Sequence, residues 1–443
     1  MNNSLIDRRP PVERAGISIP WFSPIDRPTE ARVEETSGLA EALGCELSFV
    51  TTEQVRKASP SHLLTGGVLN RIKEDLEAAE ASLFVLDGAL TPVQQRNLEK
   101  RLGVKVIDRT GLILEIFGLR ARTKAGQLQV ELARQLYERS RLVRTWTHLE
   151  RQRGGNGFLS GPGETQLEAD KRMLDTKIRR LREDLDDVRR TRYQQRRSRI
   201  RSGIPVVALV GYTNAGKSTL FNRLSGADVL AKDMPFATLD PTTRRVSLPD
   251  IGDIALTDTV GFISDLPTHL IESFQATLEE AMEADLLIHV RDRSSPVDGS
   301  QKADVERVLD QLQAGLGQEL PPMIEVWNKS DQLAPDHIAR LRAQTRDARE
   351  MPSVVVSALT GDGIDELIEA IQTHLRQASH DIEVQLRPED GAARAWLYTH
   401  GEVQQESVCE QEGTATLNVR LPADRRGQFE ASFPDVAERE RQN

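Results

Sequence analysis

The sequence predicts a multidomain α/β protein with two regions of alternating strands and helices, a helical hairpin between them, and a small C-terminal α+β domain. Three observations support this prediction. The chain has 443 residues, enough for about three domains of ordinary size. Short apolar runs alternate with helical patterns before residue 118 and again after residue 204. The segment between these regions has two long helical patterns and no strand-like run.

Composition restricts the class of protein. Hydrophobic residues make up 38% of the chain and charged residues 28%, which is typical of a folded protein with much polar surface. Cys45 and Cys409 lie far apart and outside any Cys/His cluster, which excludes a disulfide framework and a cysteine-ligated zinc site. No apolar run is long enough to cross a membrane, and the amino terminus lacks the apolar core of a signal peptide. We therefore expect a cytoplasmic protein with no membrane partner.

The charge is distributed unevenly along the chain. Between Arg120 and Arg201 there are 22 Lys and Arg residues against 11 Asp and Glu, a local balance of +11 in a chain whose total is −10. This basic segment predicts contact with a polyanion, because neutralised phosphates release their counterions. On charge alone, a solvated pair of helices is an equally good interpretation.

Residues 1–120 are predicted to form a small parallel α/β domain. Strands are expected at 16–22, 45–50, 82–87 and 104–108. Helices are expected from about Gly67, from Thr91, and after the last strand toward Phe117. Such alternation is typical of a parallel sheet with crossover helices. No phosphate-binding motif follows Gly66 and Gly67, so a nucleotide site in this domain has little support from the sequence.

Residues 121–203 are predicted to form an antiparallel helical hairpin, because apolar residues recur at helical spacing in both halves. The first stripe contains Leu128, Leu132, Leu136, Val143 and Trp146, and the second contains Leu167, Met173 or Leu174, Ile178, Leu181, Leu185 and Val188. The break between them, GGNGFLSGPGE at 154–164, has five glycines and one proline in eleven residues. That composition is incompatible with a helix and predicts a loop at the tip of the hairpin.

Residues 204–378 form the second α/β region, and residues 379–443 the small C-terminal domain. The strands expected in the α/β region are IPVVALVG, IALTDTVG, DLLIHVRD, PMIEVWNKSD and PSVVVSAL. In the C-terminal domain we expect strands at EVQLRP, ARAWLYT and TATLNVRLP.

A phosphate-binding motif follows the first strand of the second α/β region. GYTNAGKST at 211–219 matches GxxxxGK[ST] and precedes a helical pattern, which is the structural context that the motif requires. Its glycines let backbone amides surround phosphate oxygens, Lys217 can reach the β- and γ-phosphates, and the Ser218 hydroxyl can ligate Mg²⁺. The sequence therefore predicts a P-loop that binds a nucleoside triphosphate.

The motif NKSD at 328–331 predicts that the base is guanine. Asp331 can accept hydrogen bonds from the N1–H and the 2-amino group of guanine, which adenine does not present, while Asn328 and Lys329 brace the base and the loop. The segment SAL at 357–359 follows a further strand and can offer a backbone amide to the guanine carbonyl. Together with the P-loop, these motifs predict a Ras-like G domain.

Two segments between these motifs are predicted to sense the γ-phosphate. DTVG at 258–261 ends a strand, which places Asp258 to hold Mg²⁺ through water and the Gly261 amide to meet the γ-phosphate. FATLDPTTR at 236–244 supplies threonines for the other switch segment. Thr238 is the preferred metal ligand on sequence, with Thr242 and Thr243 as rivals.

The sequence also predicts slow hydrolysis. Phe262 stands where Ras-like GTPases carry the glutamine that orients the attacking water, and a phenyl ring cannot form that hydrogen bond. Asn214 occupies the P-loop position at which some potassium-activated GTPases use an asparagine to help bind K⁺. A loop-capping role for Asn214 is about as well supported.

These motifs resemble the translation-factor-related GTPases, and segments further upstream resemble the HflX family in particular. The segments are VIDRTGLILEIF at 106–117, ARTKAGQLQVELA at 121–133, RLVRTWTHLERQRGG at 141–155 and GPGETQLEADKR at 161–172. The resemblance implies a GTPase that associates with the large ribosomal subunit and its rRNA and splits or rescues stalled ribosomes under stress such as heat. It also implies that the hairpin tip approaches the peptidyl-transferase region, although the loop here lacks the arginine that some members carry before GPGE.

The resemblance assigns Ser218 and Thr238 to Mg²⁺. We expect Lys217, Thr238, Gly261 and Asn214 to take part in catalysis. The residues expected to contact the nucleotide are Gly211, Tyr212, Thr213, Asn214, Ala215, Gly216, Lys217, Ser218, Phe236, Ala237, Thr238, Leu239, Asp240, Asp258, Thr259, Val260, Gly261, Asn328, Lys329, Ser330, Asp331, Ser357, Ala358 and Leu359.

The sequence thus predicts a monomeric GTP-driven switch on the ribosome. One alternative is a ribosome-assembly or RNA-modification GTPase with the same G domain, which would prefer a subunit precursor or tRNA. Another is an RNA-binding scaffold whose nucleotide site serves only stability.

Overall fold

The fold was taken from a computed structural model. It describes residues 13–22, 29–152, 166–201, 204–226, 234–249, 251–265, 270, 279, 281–347, 351–377, 379–409, 413–422, 425, 429 and 432–436. The glycine-rich loop expected at the hairpin tip, 154–164, lies outside the described residues.

The amino-terminal domain is a parallel α/β sandwich, as predicted. Its strands are β1 (Arg14–Trp21), β2 (Glu46–Gln54), β3 (Leu83–Leu86) and β4 (Lys105–Asp108), which pair in parallel in the order β2-β1-β3-β4. Its helices are α1 (Glu30–Ala42), α2 (Gly66–Ala78), α3 (Pro92–Leu102) and α4 (Arg109–Arg120). The Thr91 hydroxyl and the Gln94 side chain cap the first turn of α3 reciprocally, which explains why that helix begins where it does.

The two faces of this sheet have different neighbours. Side chains alternate along β3, so Phe84 and Leu86 pack with α2 and α3 in a core of their own. Leu83 and Val85 face the other way and join a core that includes residues of α1 and α4 and continues into the second α/β region. Helices α1 and α4 therefore connect the amino-terminal sheet with the domain that carries the P-loop.

A helical hairpin follows, formed by α5 (Lys124–Gln152) and α6 (Gln166–Arg201). Its buried seam contains Leu132, Leu136, Ile178, Leu181 and Leu185, which all belong to the predicted stripes. The side chains of Val143, Trp146 and Leu167, also predicted for the stripes, lie outside the described part of the chain. Met173 and Leu174 were the alternatives for one position of the second stripe. Met173 is 63% exposed, so it does not belong to the buried seam. Two ion pairs tie the helices together, Glu131 with Lys177 and Arg139 with Asp175, and their order along the chain is that of antiparallel helices.

The second α/β region contains a six-stranded sheet in the order β10-β9-β8-β5-β7-β6. Its strands are β5 (Val206–Gly211), β6 (Thr242–Leu248), β7 (Gly252–Asp258), β8 (Leu286–Asp292), β9 (Met323–Asn328) and β10 (Ser353–Val355). Its helices include α7 (Lys217–Ser225), α8 (Asp298–Leu316), α9 (Pro335–Asp347) and α10 (Ile364–Gln377). All neighbouring strands are parallel except β6, an edge strand antiparallel to β7, which the sequence analysis did not identify.

The C-terminal domain has an antiparallel sheet of three strands in the order β11-β13-β12, and helix α11 (Gly391–His400) packs on it. The strands are β11 (Ser379–Leu386), β12 (Glu402–Cys409) and β13 (Thr414–Pro422). The expected strand ARAWLYT was wrong, because that segment lies in α11. Ala393 and Leu397 are four residues apart and both buried, so the apolar face has helical spacing, and the alanines favour a helix.

Candidate functional site

The P-loop motif lies at the carboxyl end of β5 and leads directly into α7. Two of its glycines are required by geometry. Gly211 has φ of +151°, and a Cβ there would lie 2.2 Å from the Val290 carbonyl oxygen. Gly216 has φ of +96°, and a Cβ there would lie 2.2 Å from the Asn328 side-chain nitrogen. A larger residue at either position would push the loop away from the neighbouring strands.

The Lys217 ammonium group is buried inside this loop. Its Nζ donates hydrogen bonds to the carbonyl oxygens of Gly211, at 3.0 Å, and Tyr212, at 2.8 Å. Burial lowers the pKa of Lys217 to about 8, and the Asp258 carboxylate offsets part of that decrease. A buried cation with only partial compensation attracts an anion, and a nucleotide phosphate supplies one.

The side chains predicted to bind a metal ion converge beside Lys217. Asp258 Oδ2 accepts hydrogen bonds from Ser218 Oγ, at 2.7 Å, and from Thr238 Oγ1, at 2.9 Å. The second oxygen, Asp258 Oδ1, is buried and has no hydrogen-bond partner among the described residues. Burial raises the pKa of Asp258, and Lys217 and the two hydroxyl groups oppose that rise. Of the rival threonines, Thr243 instead faces Thr257 across β6 and β7.

The NKSD and SAL segments are joined to the P-loop by one side chain. Asn328 Nδ2 donates to the Ala215 carbonyl oxygen, at 2.8 Å, and Asn328 Oδ1 accepts from the Ala358 amide, at 2.9 Å. Asp331 accepts a hydrogen bond of 2.5 Å from the Ser357 hydroxyl. Lys329 Nζ forms an ion pair of 2.8 Å with Asp292. The three motifs therefore lie together at the carboxyl edge of the sheet, with Ser330 buried behind them and Leu359 exposed.

The DTVG segment and the residue after it lie directly against the P-loop. Gly261 is so close that a Cβ there would lie 3.0 Å from Lys217 Nζ. The Phe262 amide donates to the Gly211 carbonyl oxygen, at 3.1 Å, and the Thr213 amide donates to the Phe262 carbonyl oxygen, at 2.7 Å. The Phe262 ring is 2% exposed, so it faces the protein core. Thr259 and Val260 are also buried.

The segment 236–240 contacts both the P-loop cavity and the start of α5. Phe236, Ala237 and Thr238 line a cavity of about 50 Å³ together with Asn214, Lys217 and Ser218. Leu239 is buried in the core. The Asp240 carboxylate faces α5 and accepts hydrogen bonds from the amides of Arg122, at 2.8 Å, and Thr123, at 2.9 Å. Asp240 thus caps the start of the hairpin instead of facing the P-loop.

Asn214 is exposed on the P-loop with φ of +60°, a left-handed conformation that asparagine tolerates better than most residues. Its predicted role in K⁺ binding stays a prediction.

Among the described residues, no cluster of three or more His, Cys, Asp or Glu side chains could hold a metal ion, which leaves the Ser218, Thr238 and Asp258 group as the candidate metal site. In the same residues no helix combines the length and the apolar character needed to span a membrane.

Comparison with known proteins identifies the family. Consecutive parts of the chain match family profiles described as "GTP-binding GTPase N-terminal" (residues 30–118), "GTP-binding GTPase Middle Region" (120–199), "50S ribosome-binding GTPase" (206–329) and "HflX C-terminal domain" (342–442). A GTPase HflX of Magnetococcus marinus is 45% identical over 390 residues, 88% of each chain. The chain belongs to the HflX family of GTPases. The resemblance found in the sequence is confirmed, and the enzyme hydrolyses GTP.

A second HflX relative agrees with this assignment. The GTPase HflX of Escherichia coli K12 is 44% identical over 391 residues, which are 88% of this chain and 89% of the relative. A solved structure described as a GTP-binding protein from Sulfolobus solfataricus in complex with GDP matches with 23% identity and a TM-score of 0.46. That match covers 82% of this chain and 98% of the other.

One group of polar residues next to the P-loop was not predicted from the sequence. Arg32, Glu35, Asp87 and Arg109 of the amino-terminal domain contact Tyr212 or Ser264 of the HflX G domain, directly or through one another. Asp87 and Arg109 each follow a buried strand of a parallel sheet, the edge at which α/β proteins place functional side chains. Their position after these strands was the one feature of the sequence that could have indicated the cluster, but no recognisable motif accompanies it.

Proposed function

We propose that this HflX-family GTPase holds GTP and GDP between the P-loop and the NKSD and SAL segments, and that its partner is the large ribosomal subunit. The observation that carries the nucleotide site is the convergence of Lys217, Ser218, Thr238 and Asp258 around one small cavity. Asn328 supports the placement of the base, because it ties the P-loop to the loop that follows β10. Asp331 then reads the guanine N1–H and 2-amino group.

The residues around Asp258 fit Mg²⁺. Hydroxyl and carboxylate oxygens are the ligands that this ion prefers, and the unpartnered Asp258 Oδ1 supplies a free acceptor beside them. Ser218 and Thr238 would hold the ion directly, and Asp258 through water. When bound, the ion neutralises charge on the β- and γ-phosphates. The protein's own contribution is to hold the two hydroxyl groups and the Lys217 ammonium at fixed positions against the nucleotide.

We expect the free enzyme to turn over slowly, at or below about 10⁻⁴ to 10⁻³ per second, and to accelerate on the large subunit. The Phe262 ring is buried, so it cannot orient water, and the ribosome would have to complete the site. Single-turnover hydrolysis of radiolabelled GTP with and without purified large subunits measures both rates. Fast hydrolysis by the free enzyme would show that a side chain of this chain already positions the water.

The basic hairpin is the part of the chain best suited to rRNA. Arg179, Arg180 and Arg182 are exposed on α6, whereas the neighbouring residues Ile178 and Leu181 are buried in the seam of the hairpin. Because phosphate contacts release counterions, they give affinity that depends on salt but not on base sequence. This segment would bring the HflX protein to the subunit, and ordering of the switch segments by GTP would control its action once it is bound there.

Changing Arg179, Arg180 and Arg182 to Glu should weaken binding to the large subunit and lower its salt dependence, by about 2 in the slope of log K against log salt. Sedimentation with large subunits at several salt concentrations measures the slope. The triple Arg→Lys variant is the matched control, because it keeps the three positive charges. Equal affinity of the Glu and Lys variants would remove these three arginines from the contact.

Splitting of ribosomes under stress is the finer activity that we propose for the bound enzyme. Light scattering of 70S ribosomes mixed with the enzyme and GTP, GDP or a non-hydrolysable analogue tests it, with dissociation expected in the triphosphate states. Binding to a subunit precursor or to tRNA in preference to the mature subunit would instead favour a ribosome-assembly or RNA-modification role.

A further inference from the structure

A buried polar cluster joins the amino-terminal domain to the P-loop and to the segment after DTVG. The amino-terminal domain supplies Arg32, Glu35, Asp87 and Arg109, and the G domain supplies Tyr212 and Ser264. Arg109, Asp87 and Tyr212 are each between 5% and 6% exposed, so the cluster lies inside the domain junction. We call these six residues the junction cluster.

The charges in the junction cluster compensate one another. Arg109 Nη1 donates to Asp87 Oδ1 at 3.0 Å, and Arg109 Nη2 contacts Glu35. Arg32 Nε donates to Asp87 Oδ2 at 2.7 Å. Within the six residues two cations thus face two carboxylates, which a buried site requires if the charges are to be retained. Arg32 also forms an ion pair of 3.0 Å with Asp265, whose side chain is exposed at the edge of the cluster. This arrangement demands strict geometry, because a displaced partner leaves a buried charge unpaired.

Tyr212 and Ser264 attach the G domain to this cluster. The Tyr212 hydroxyl donates to Glu35 Oε2 and accepts a hydrogen bond of 2.7 Å from the Ser264 amide. The Ser264 hydroxyl donates to Glu35 Oε1 at 2.7 Å, and Arg109 Nη2 donates to the Ser264 carbonyl oxygen at 3.1 Å. Burial and the Glu35 carboxylate raise the pKa of Tyr212, so the phenol keeps its proton and remains a donor.

We propose that Tyr212 and Glu35 are positioning residues for GTP hydrolysis, because together they fix the segment Gly261–Ser264 against the P-loop from the side of the amino-terminal domain. This inference rests on the nucleotide site proposed above. Tyr212 is the second residue of the P-loop, and its backbone neighbours already bond to Phe262 on both sides. The side-chain contacts to Ser264 extend that attachment by two residues.

The chemical reason is preorganisation. Gly261 lies beside Lys217, where its amide would meet the γ-phosphate of the proposed nucleotide, and Phe262 offers no side-chain group to the water. Without a catalytic glutamine, the segment can offer only its backbone groups to the nucleotide, and their position depends on the contacts that hold the segment in place. Groups fixed before the reaction stabilise the transition state without a reorganisation cost, and displacement of about 1 Å can lower a rate by up to about 100-fold.

The test is Tyr212→Phe, which removes one hydroxyl group and keeps the ring. We expect kcat for GTP to fall about tenfold. The affinities for GTP and GDP, measured separately by equilibrium titration with fluorescent nucleotides, should stay within about twofold because the P-loop backbone is unchanged. Tyr398→Phe is the matched control, since it makes the same chemical change at an exposed tyrosine of the C-terminal domain. A Tyr212→Phe enzyme with an unchanged or increased kcat overturns the proposal.

A second variant separates positioning from stability. Glu35→Gln should lower kcat in the same way, whereas Glu34→Gln, an exposed change on the same helix, should not. The double variant Tyr212→Phe/Glu35→Gln should lose no more than the more impaired single variant, because both changes break one contact. Losses that multiply overturn the proposal. An enzyme that binds no guanine nucleotide would overturn the proposed function itself, whereas normal binding with unaffected kcat in Tyr212→Phe would overturn the positioning role alone.

Discussion

Replacing Asp331 with asparagine is expected to change the base preference of the enzyme from guanine to xanthine. A carboxylate accepts hydrogen bonds from the guanine N1–H and 2-amino group, whereas an asparagine amide donates to the carbonyl that xanthine presents at the 2-position. Asp331 is exposed at the carboxyl edge of the sheet and is held by the Ser357 hydroxyl at 2.5 Å. Its orientation is therefore fixed before the base arrives.

The expected loss of GTP affinity in Asp331→Asn is at least about 100-fold, because a charged acceptor of two hydrogen bonds is removed and an unpaired amide is left. Xanthosine triphosphate should bind better to the variant than to the wild type. Titration with both nucleotides measures the change, and Asp336→Asn, an exposed site a few residues along in α9, is the control. A variant that binds GTP as tightly as the wild type would show that Asp331 does not contact the base.

The P-loop could be predicted from the sequence because its geometry is local. Gly211 and Gly216 are demanded by backbone conformation and by close approach of Val290 and Asn328, so the motif itself encodes the shape. The same holds for strand ends. Since the carboxyl ends of parallel strands share one edge, Asp258 and Asn328 had to lie near the loop once their strands were recognised.

Other parts of the site depend on contacts that local patterns do not encode. Asp240 was expected at the nucleotide with Thr238, two residues earlier, yet its carboxylate caps α5. Residues 236–240 form turns and bends and not a regular strand, so their spacing alone does not fix which side chain faces the P-loop. Packing against α4 and hydrogen bonds to the start of α5 decide it. The T-shaped contact of Phe236 with Phe117, at 4.6 Å between ring centroids, is part of that packing.

The junction cluster was unpredictable for a related reason. Glu35 and Ser264 are 229 residues apart in the chain, and each belongs to a different domain. An exposed carboxylate on an amphipathic helix and a buried carboxylate at a domain junction look the same in a single sequence.

The missed edge strand β6 has three exposed residues in succession, Thr243, Arg244 and Arg245, so it lacks the apolar run by which the other strands were found.

Replacing Lys217 with alanine is expected to reduce hydrolysis to background, a fall of at least about 100-fold, because the residue supplies the cation nearest the transferred phosphoryl group. The ammonium is fully buried and held by the carbonyl oxygens of Gly211 and Tyr212. No other lysine or arginine side chain among the described residues lines the cavity that Lys217 shares with Ser218 and Thr238. Nothing in that part of the structure can therefore take over its charge.

The effect of Lys217→Ala on folding should be small by comparison, because two changes in the free energy of unfolding oppose each other. Removing the ammonium relieves the burial that lowers the pKa of Lys217 to about 8, whereas it also takes away the cation that favours the charged form of Asp258. Single-turnover hydrolysis and thermal melting, each compared with the exposed control Lys73→Ala, separate catalysis from stability. If Lys217→Ala hydrolysed GTP at half the wild-type rate or more, the phosphoryl group would have to lie elsewhere. A folded but inactive variant would show that the transferred phosphoryl group lies at the Lys217 ammonium, because the positive charge that faces the phosphates is then the only group removed.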